Sequence, residues 1–234
     1  PLGLSLDKML MLEKEMKRKN LHFHYGTQQR SLIHCQNGIE MVRSGRLGEI
    51  THVDVWAPQG EGLPVKPEDK NMPDGFDFDR WLGPAPLAEY SYARCQASTG
   101  IWHNYDYAIG FLAGWGAHPL DIAVWGIKEK IAGVSNHKGT GSLFPPGMLF
   151  NTVASWDIDI QYDNGFRMHF MSTDLAKPVV SKYLPDFAGD GTAFFGEKGW
   201  ISISRGQIAS DIPEIHKELN VGVVGENGKH GENF

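Results

Sequence analysis

Val153-Ala-Ser-Trp-Asp-Ile-Asp-Ile-Gln-Tyr162 alternates strictly, with Ala154, Trp156, Ile158, Ile160 and Tyr162 on one face and Ser155, Asp157, Asp159 and Gln161 on the other. A period of two is that of a strand with one buried face. Asp163-Asn164-Gly165 follows. Asn and Gly tolerate the positive φ of a tight hairpin, so Phe166, Met168 and Phe170 are expected to carry the apolar face onto a returning strand. A second hairpin is expected from Thr192–Phe195 and Trp200–Ser204, turning at Glu197-Lys198-Gly199.

Upstream the period is helical. Ser5 is placed to cap a helix over 6–19, with Leu6, Met9, Leu10 and Met16 on one side and Lys17-Arg18-Lys19 at the negative end of its dipole. Leu21–Tyr25 reads as a short buried strand. Ser31 is expected to cap a second helix with Ile33, Ile39 and Val42 inside and Gly45 as its stop. Ile50–Ala57 is β-branched and aromatic, hence a strand, and Ala117–Ile127 reads as a helix fed by a loop of small residues. Helices followed by several antiparallel strands describe an α+β fold: a largely antiparallel open sheet packed on helices.

The composition narrows the function. With 41% apolar and 21% charged residues, the chain has the make-up of an ordinary globular protein, and a net charge of −6 gives no basic field for nucleic acid. No run approaches the roughly 18 to 20 apolar residues of a membrane span. Cys35 and Cys95 are far apart, which suggests neither a disulfide framework nor a thiolate zinc site and fits a reducing, cytoplasmic setting. The Pro-, Gly- and Asp-rich stretch Pro58–Pro86 is long for a connector, and Phe76, Phe78 and Trp81 within it argue for order.

Chemistry concentrates in Trp102-His103-Asn104-Tyr105-Asp106-Tyr107 and in Gly114-Trp115-Gly116-Ala117-His118-Pro119-Leu120-Asp121. Pro119 suits a first helical turn, which places His118 at or near the N-cap, where exposed N–H groups favour the neutral, proton-accepting imidazole. Asp121 can orient that ring; the plainer reading is a capping histidine bonded to Asp121. His103 and Asp106 repeat the spacing, so the four side chains are also a candidate cation site, although no metal is assigned. Gly26-Thr27-Gln28-Gln29-Arg30 can hold an anion or an amide, or be a plain loop. Arg80 and Trp81 on a Pro-stiffened loop can stack on a planar ring or sugar, or simply pack. No Gly-x-Gly-x-x-Gly occurs, so this chain is not expected to build a dinucleotide phosphate site by itself.

The stretches Gly26-Thr-Gln-Gln-Arg-Ser31, Val42-Arg-Ser-Gly-Arg-Leu-Gly-Glu-Ile50, Arg80-Trp-Leu-Gly-Pro-Ala-Pro86 and Trp115-Gly-Ala-His-Pro-Leu-Asp-Ile-Ala123, in this order and spacing, resemble the Gfo/Idh/MocA family of nicotinamide-dependent sugar oxidoreductases. The resemblance implies residues 1–30 as the last helix and strand of a Rossmann domain and 31–234 as a substrate-binding and oligomerisation α/β domain. Both ends, Pro1-Leu2-Gly3 and the Gly-rich stretch from Asn220, are then expected to be cuts in a longer protein. It implies His118 and Asp121 as catalytic, Gln29, Arg30 and Trp81 as facing an NAD or NADP cofactor, and His103, Asp106 and Tyr107 as facing a carbohydrate. Many family members carry an Asp where this chain has Gly114. That departure leaves Asp106 or Asp121 to compensate, or points to NAD-assisted glycoside cleavage through a transient keto sugar. A sugar-binding or oligomerising module without redox activity is the remaining alternative.

Overall fold

The computed structural model describes residues 3–60, 72–96, 100–219 and 222–223. The elements run α1 (Leu6–Arg18), a 3-10 turn (Gln28–Ser31), α2 (Ile33–Arg43), β1 (Ile50–Ala57), three short helices α3 (Phe78–Leu82), α4 (Tyr92–Cys95) and α5 (Phe111–Gly114), then α6 (Ala117–Ile127). They continue through β2 (Ser135–Leu143), β3 (Val153–Tyr162), β4 (Arg167–Ser172), α7 (Thr173–Val180), β5 (Gly191–Gly196), β6 (Gly199–Ile203), β7 (Gln207–Ser210), α8 (Pro213–Glu218) and β8 (Gly222–Val223). The chain divides into two compact units, one drawn from residues 1–24, 59–114 and 141–154, the other from 25–58, 115–140 and 155–234.

The strands form one sheet in the order β2-β3-β4-β1-β5-β6-β7-β8. The β1/β4 pair is parallel, with Val53 beside Met168, whereas β1/β5, β3/β4, β5/β6, β6/β7 and β7/β8 are antiparallel. Alternation then sorts the side chains. Val53, Val55, Met168, Phe170, Phe194, Ile201, Ile203 and Ile208, all buried, share the face covered by α2 and α6. The helices approach closely because glycines allow it: a Cβ on Gly126 would stand 2.6 Å from the Phe194 ring, and one on Gly38 2.7 Å from Ile203. The opposite face carries Trp56, Met171, Ala193 and Ala209, packed against Ala176, Val180 and Leu184 from α7 and the turn after it.

The first hairpin forms as its sequence dictates. Gly165 takes φ +83°, Asn164 Oδ1 accepts from the Phe166 amide at 2.9 Å, and Trp156 and Ile160 are buried while Asp159 is exposed. The second closes at Glu197-Lys198, with Phe195 beside Trp200. Other expectations need correction. No strand forms over Leu21–Tyr25, and Leu21, Phe23 and Tyr25 are exposed, because among the described residues no neighbouring strand offers them a ladder. Helix α1 forms with Ser5 at its N-cap position, yet it buries none of its residues. Ser31 ends the 3-10 turn and Leu32 stands at the N-cap of α2; Ile33 is exposed, while Ile39 and Val42 are buried.

Candidate active site

In the second unit, one set of polar residues lies around the first turn of α6. Gly116 occupies the N-cap position and His118 is the second helical residue, one step further inside than the spacing of Pro119 suggests. Its amide donates to the Trp115 carbonyl at 3.0 Å, and its half-buried ring meets the Trp115 indole edge-on at 5.7 Å. Thr192 Oγ1 donates to the Pro119 carbonyl at 2.6 Å, which pins this turn of α6 to the start of β5.

Asp121 does not orient the His118 ring by a hydrogen bond. Its carboxylate is gripped by Arg30, with Nε and Nη2 each 2.7 Å from one of its oxygens. Two parallel charge-assisted bonds hold both oxygens, so the guanidinium outcompetes an imidazole for them. Arg30 also lies over the Trp125 ring at 5.4 Å, so its main structural task is to clamp the 3-10 turn onto α6.

Asp190 and Arg205, which carry no sequence motif, complete the cluster with Gln29. Gln29, 2% exposed, donates from Nε2 to Asp190 at 3.3 Å and leaves its Oε1 buried without a hydrogen-bond partner. Arg205, in the turn between β6 and β7, stacks its guanidinium 4.7 Å over Trp115, and its Nε is likewise buried and unpaired. That turn is held from α2, where His34 Nε2 donates to the Ser204 carbonyl at 3.0 Å. Burial, and then the Arg205 charge, holds the His118 imidazole below its ordinary value. Burial pushes the Asp190 carboxyl up, against the hydrogen bond from Gln29.

The remaining candidates belong to the first unit. Trp81 stacks on Phe78 at 5.7 Å and meets Tyr107 edge-on at 5.2 Å. Tyr107 Oη accepts from Arg94 at 3.2 Å, and Asp106 lies 3.9 Å from the same guanidinium. His103 is fully buried, with the rings of Phe111, Phe144 and Phe150 around it. Among the described residues, no group of three or more His, Cys, Asp or Glu is arranged to hold a metal ion. Gly114 backs onto Trp102: a Cβ there would stand 2.6 Å from the indole, so a carboxylate at this position would require the ring to move.

Residues 53–136 match the model of the oxidoreductase family C-terminal alpha/beta domain, of the Gfo/Idh/MocA type. That span contains Trp81, His103, Asp106, Tyr107, His118 and Asp121; Gln29 and Arg30 precede it. No curated protein matches the chain in sequence. Among solved structures, the WlbA dehydrogenase from Chromobacterium violaceum, in complex with NADH and UDP-GlcNAcA, is 15% identical with a TM-score of 0.59, over 95% of this chain and 55% of that one. An inositol dehydrogenase homolog from Azotobacter vinelandii, complexed with NADH and myo-inositol, is 15% identical with a TM-score of 0.56, over 91% and 46%. A similar likeness holds for a myo-inositol dehydrogenase homologue from Sinorhizobium meliloti, at 13% identity and a TM-score of 0.52, over 88% and 49%. The chain thus spans about half the length of the structures it matches.

Proposed function

We propose, from the premise that residues 53–136 are a C-terminal α/β domain of the Gfo/Idh/MocA oxidoreductase type, that this chain is the substrate-side portion of an enzyme that oxidises a hydroxyl of a sugar, sugar derivative or cyclitol. The observation that carries the reading is His118. It lies in the first turn of α6, where burial, and then the Arg205 charge, lowers its pKa and so favours the neutral, proton-accepting form. His118 would take the proton of the substrate hydroxyl, and a bound NAD or NADP would supply the acceptor for the hydride that leaves the same carbon.

The residues present fit the nicotinamide end of such a cofactor. Gln29 Oε1 is a spare acceptor and Arg205 Nε a spare donor, the complement of a carboxamide, beside the Trp115 indole. Arg30 acts in this reading through its clamp on Asp121. The pyrophosphate cradle is expected outside this chain. The chain alone is therefore expected to bind NAD weakly, whereas the longer enzyme should reduce NAD with cyclitols or sugars. Calorimetry showing micromolar NAD binding to this chain, or no nicotinamide reduction by the longer enzyme with any such substrate, overturns the reading.

Gly114, closed off by Trp102, favours one second reading, glycoside cleavage through a transient keto sugar. Its signature is a cleaved glycoside with no net NADH. The substrate-side sheet is also proposed to join copies of the chain in a cytoplasmic homo-oligomer through its edges and loops. Among the described residues, no helix is long and apolar enough to cross a membrane. Sedimentation of the longer enzyme should show more than a monomer, and a monomer at high concentration rejects the oligomer.

A further inference from the structure

We infer that Asp190 is the positioning carboxylate for His118, in place of the carboxylate that Gly114 does not supply. The inference rests on the proposed role of His118 as proton acceptor, and it is carried by the way three elements converge. Asp190 stands two residues before Thr192, whose hydroxyl bonds the carbonyl of Pro119, the residue next to His118. Gly191 pairs with Trp56 across the ladder, and a Cβ on it would stand 2.4 Å from the indole. The side chain of Asp190 is tethered by Gln29 at 3.3 Å.

The other carboxylates named as candidates have different work. Asp121, on α6 itself, is held at both oxygens by Arg30, and Asp106 lies beside Arg94 in the first unit. Among the described residues, the charged groups that act on the His118 ring are Arg205 from the β6–β7 turn, Asp190 just before β5 and Asp121 from its own helix. Their signs divide the task. Arg205 opposes a proton on the resting ring, so the imidazole is ready to accept one. Asp190 attracts the imidazolium once it forms, so the proton is retained while the hydride leaves. Asp190 touches no substrate in this scheme; it acts through His118.

The readout is the His118 titration, followed by NMR on the chain as it stands, beside the pH profile of kcat in the longer enzyme. Asp190→Asn is expected to lower the His118 pKa by roughly half a unit to one unit and to lower kcat with little change in KM. Arg205→Gln is expected to move the same pKa upward. Asp190→Glu, which keeps the charge, should restore part of the titration shift. If Asp190→Asn fails to fold, Gln29→Ala keeps the carboxylate but removes its tether and is expected to shift the His118 pKa downward. An unchanged His118 titration in a folded Asp190→Asn or Gln29→Ala protein overturns the inference while leaving the role of His118 intact. A shifted titration together with normal turnover in His118→Ala overturns the proposed function and leaves the coupling standing.

Discussion

Replacing His118 with Ala is expected to lower turnover of the longer enzyme by about a hundredfold to ten-thousandfold, the usual contribution of a positioned proton acceptor, while leaving its melting temperature nearly unchanged. The side chain is half-buried and its ring meets the Trp115 indole edge-on, so little packing is lost. The acid limb of the rate should fall below the ordinary imidazole value of 6.5, because burial and Arg205 both disfavour the protonated ring. A proton acceptor works only when neutral, so the rate declines as pH drops through that lowered pKa. Steady-state kinetics across pH, with thermal unfolding of the same variant, test this. Near-normal turnover leaves His118 as a helix-turn residue only, and unfolding assigns it to structure.

Trp56→Ala should be the most damaging single truncation in the sheet, costing about 3–5 kcal/mol. The indole is fully buried against Met171, Ala176, Val180 and Leu184, and the ring of Phe187 meets it edge-on at 5.8 Å. Its Nε1 donates to the Ala188 carbonyl at 2.8 Å, and its ring fills the space that Gly191 leaves open. The loss therefore frees the 188–191 segment that carries Asp190, so activity should fall together with stability. Trp56→Phe retains most of the apolar surface but strands the Ala188 carbonyl, a cost of roughly 1–3 kcal/mol. Denaturant unfolding of the three proteins checks the order; equal midpoints for Trp56→Ala and the parent would refute it.

Val153–Tyr162 was legible because burial of one face imposes a period of two, Ile50–Ala57 because its residues are β-branched and aromatic, and Ala117–Ile127 because small residues lead into it; all three have the bounds expected. β2, Ser135–Leu143, was not legible: almost every residue in it is exposed, so Lys138, Gly139 and Gly141 carry no alternation to read. Leu21–Tyr25 failed in the opposite sense, since strand propensity is expressed only beside a partner strand. At the site, the His118 segment announced itself through Pro119 and its neighbours. Asp190 and Arg205 did not, because each lies in a turn and gains its meaning from residues distant in sequence; Gln29 meets Asp190 across 161 positions. Asp121 was visible as a carboxylate near His118, but only the folded chain shows that Arg30 has taken both its oxygens.

The central strand sets the order in which this molecule can be made. β1 lies between β4 and β5, pairing Val55 with Phe170 on one side and with Thr192 on the other. A ribosome delivers β1 long before either neighbour, so Val53, Val55 and Trp56 leave the exit tunnel with apolar side chains exposed and both hydrogen-bonding edges open. Such contacts close slowly, because the loop entropy must be overcome before any pairing compensates for it. The early helices and β1 therefore wait for the chain to reach Phe195. During that interval β1 is the segment of the nascent protein most exposed to mispairing, and the one a chaperone has most reason to hold.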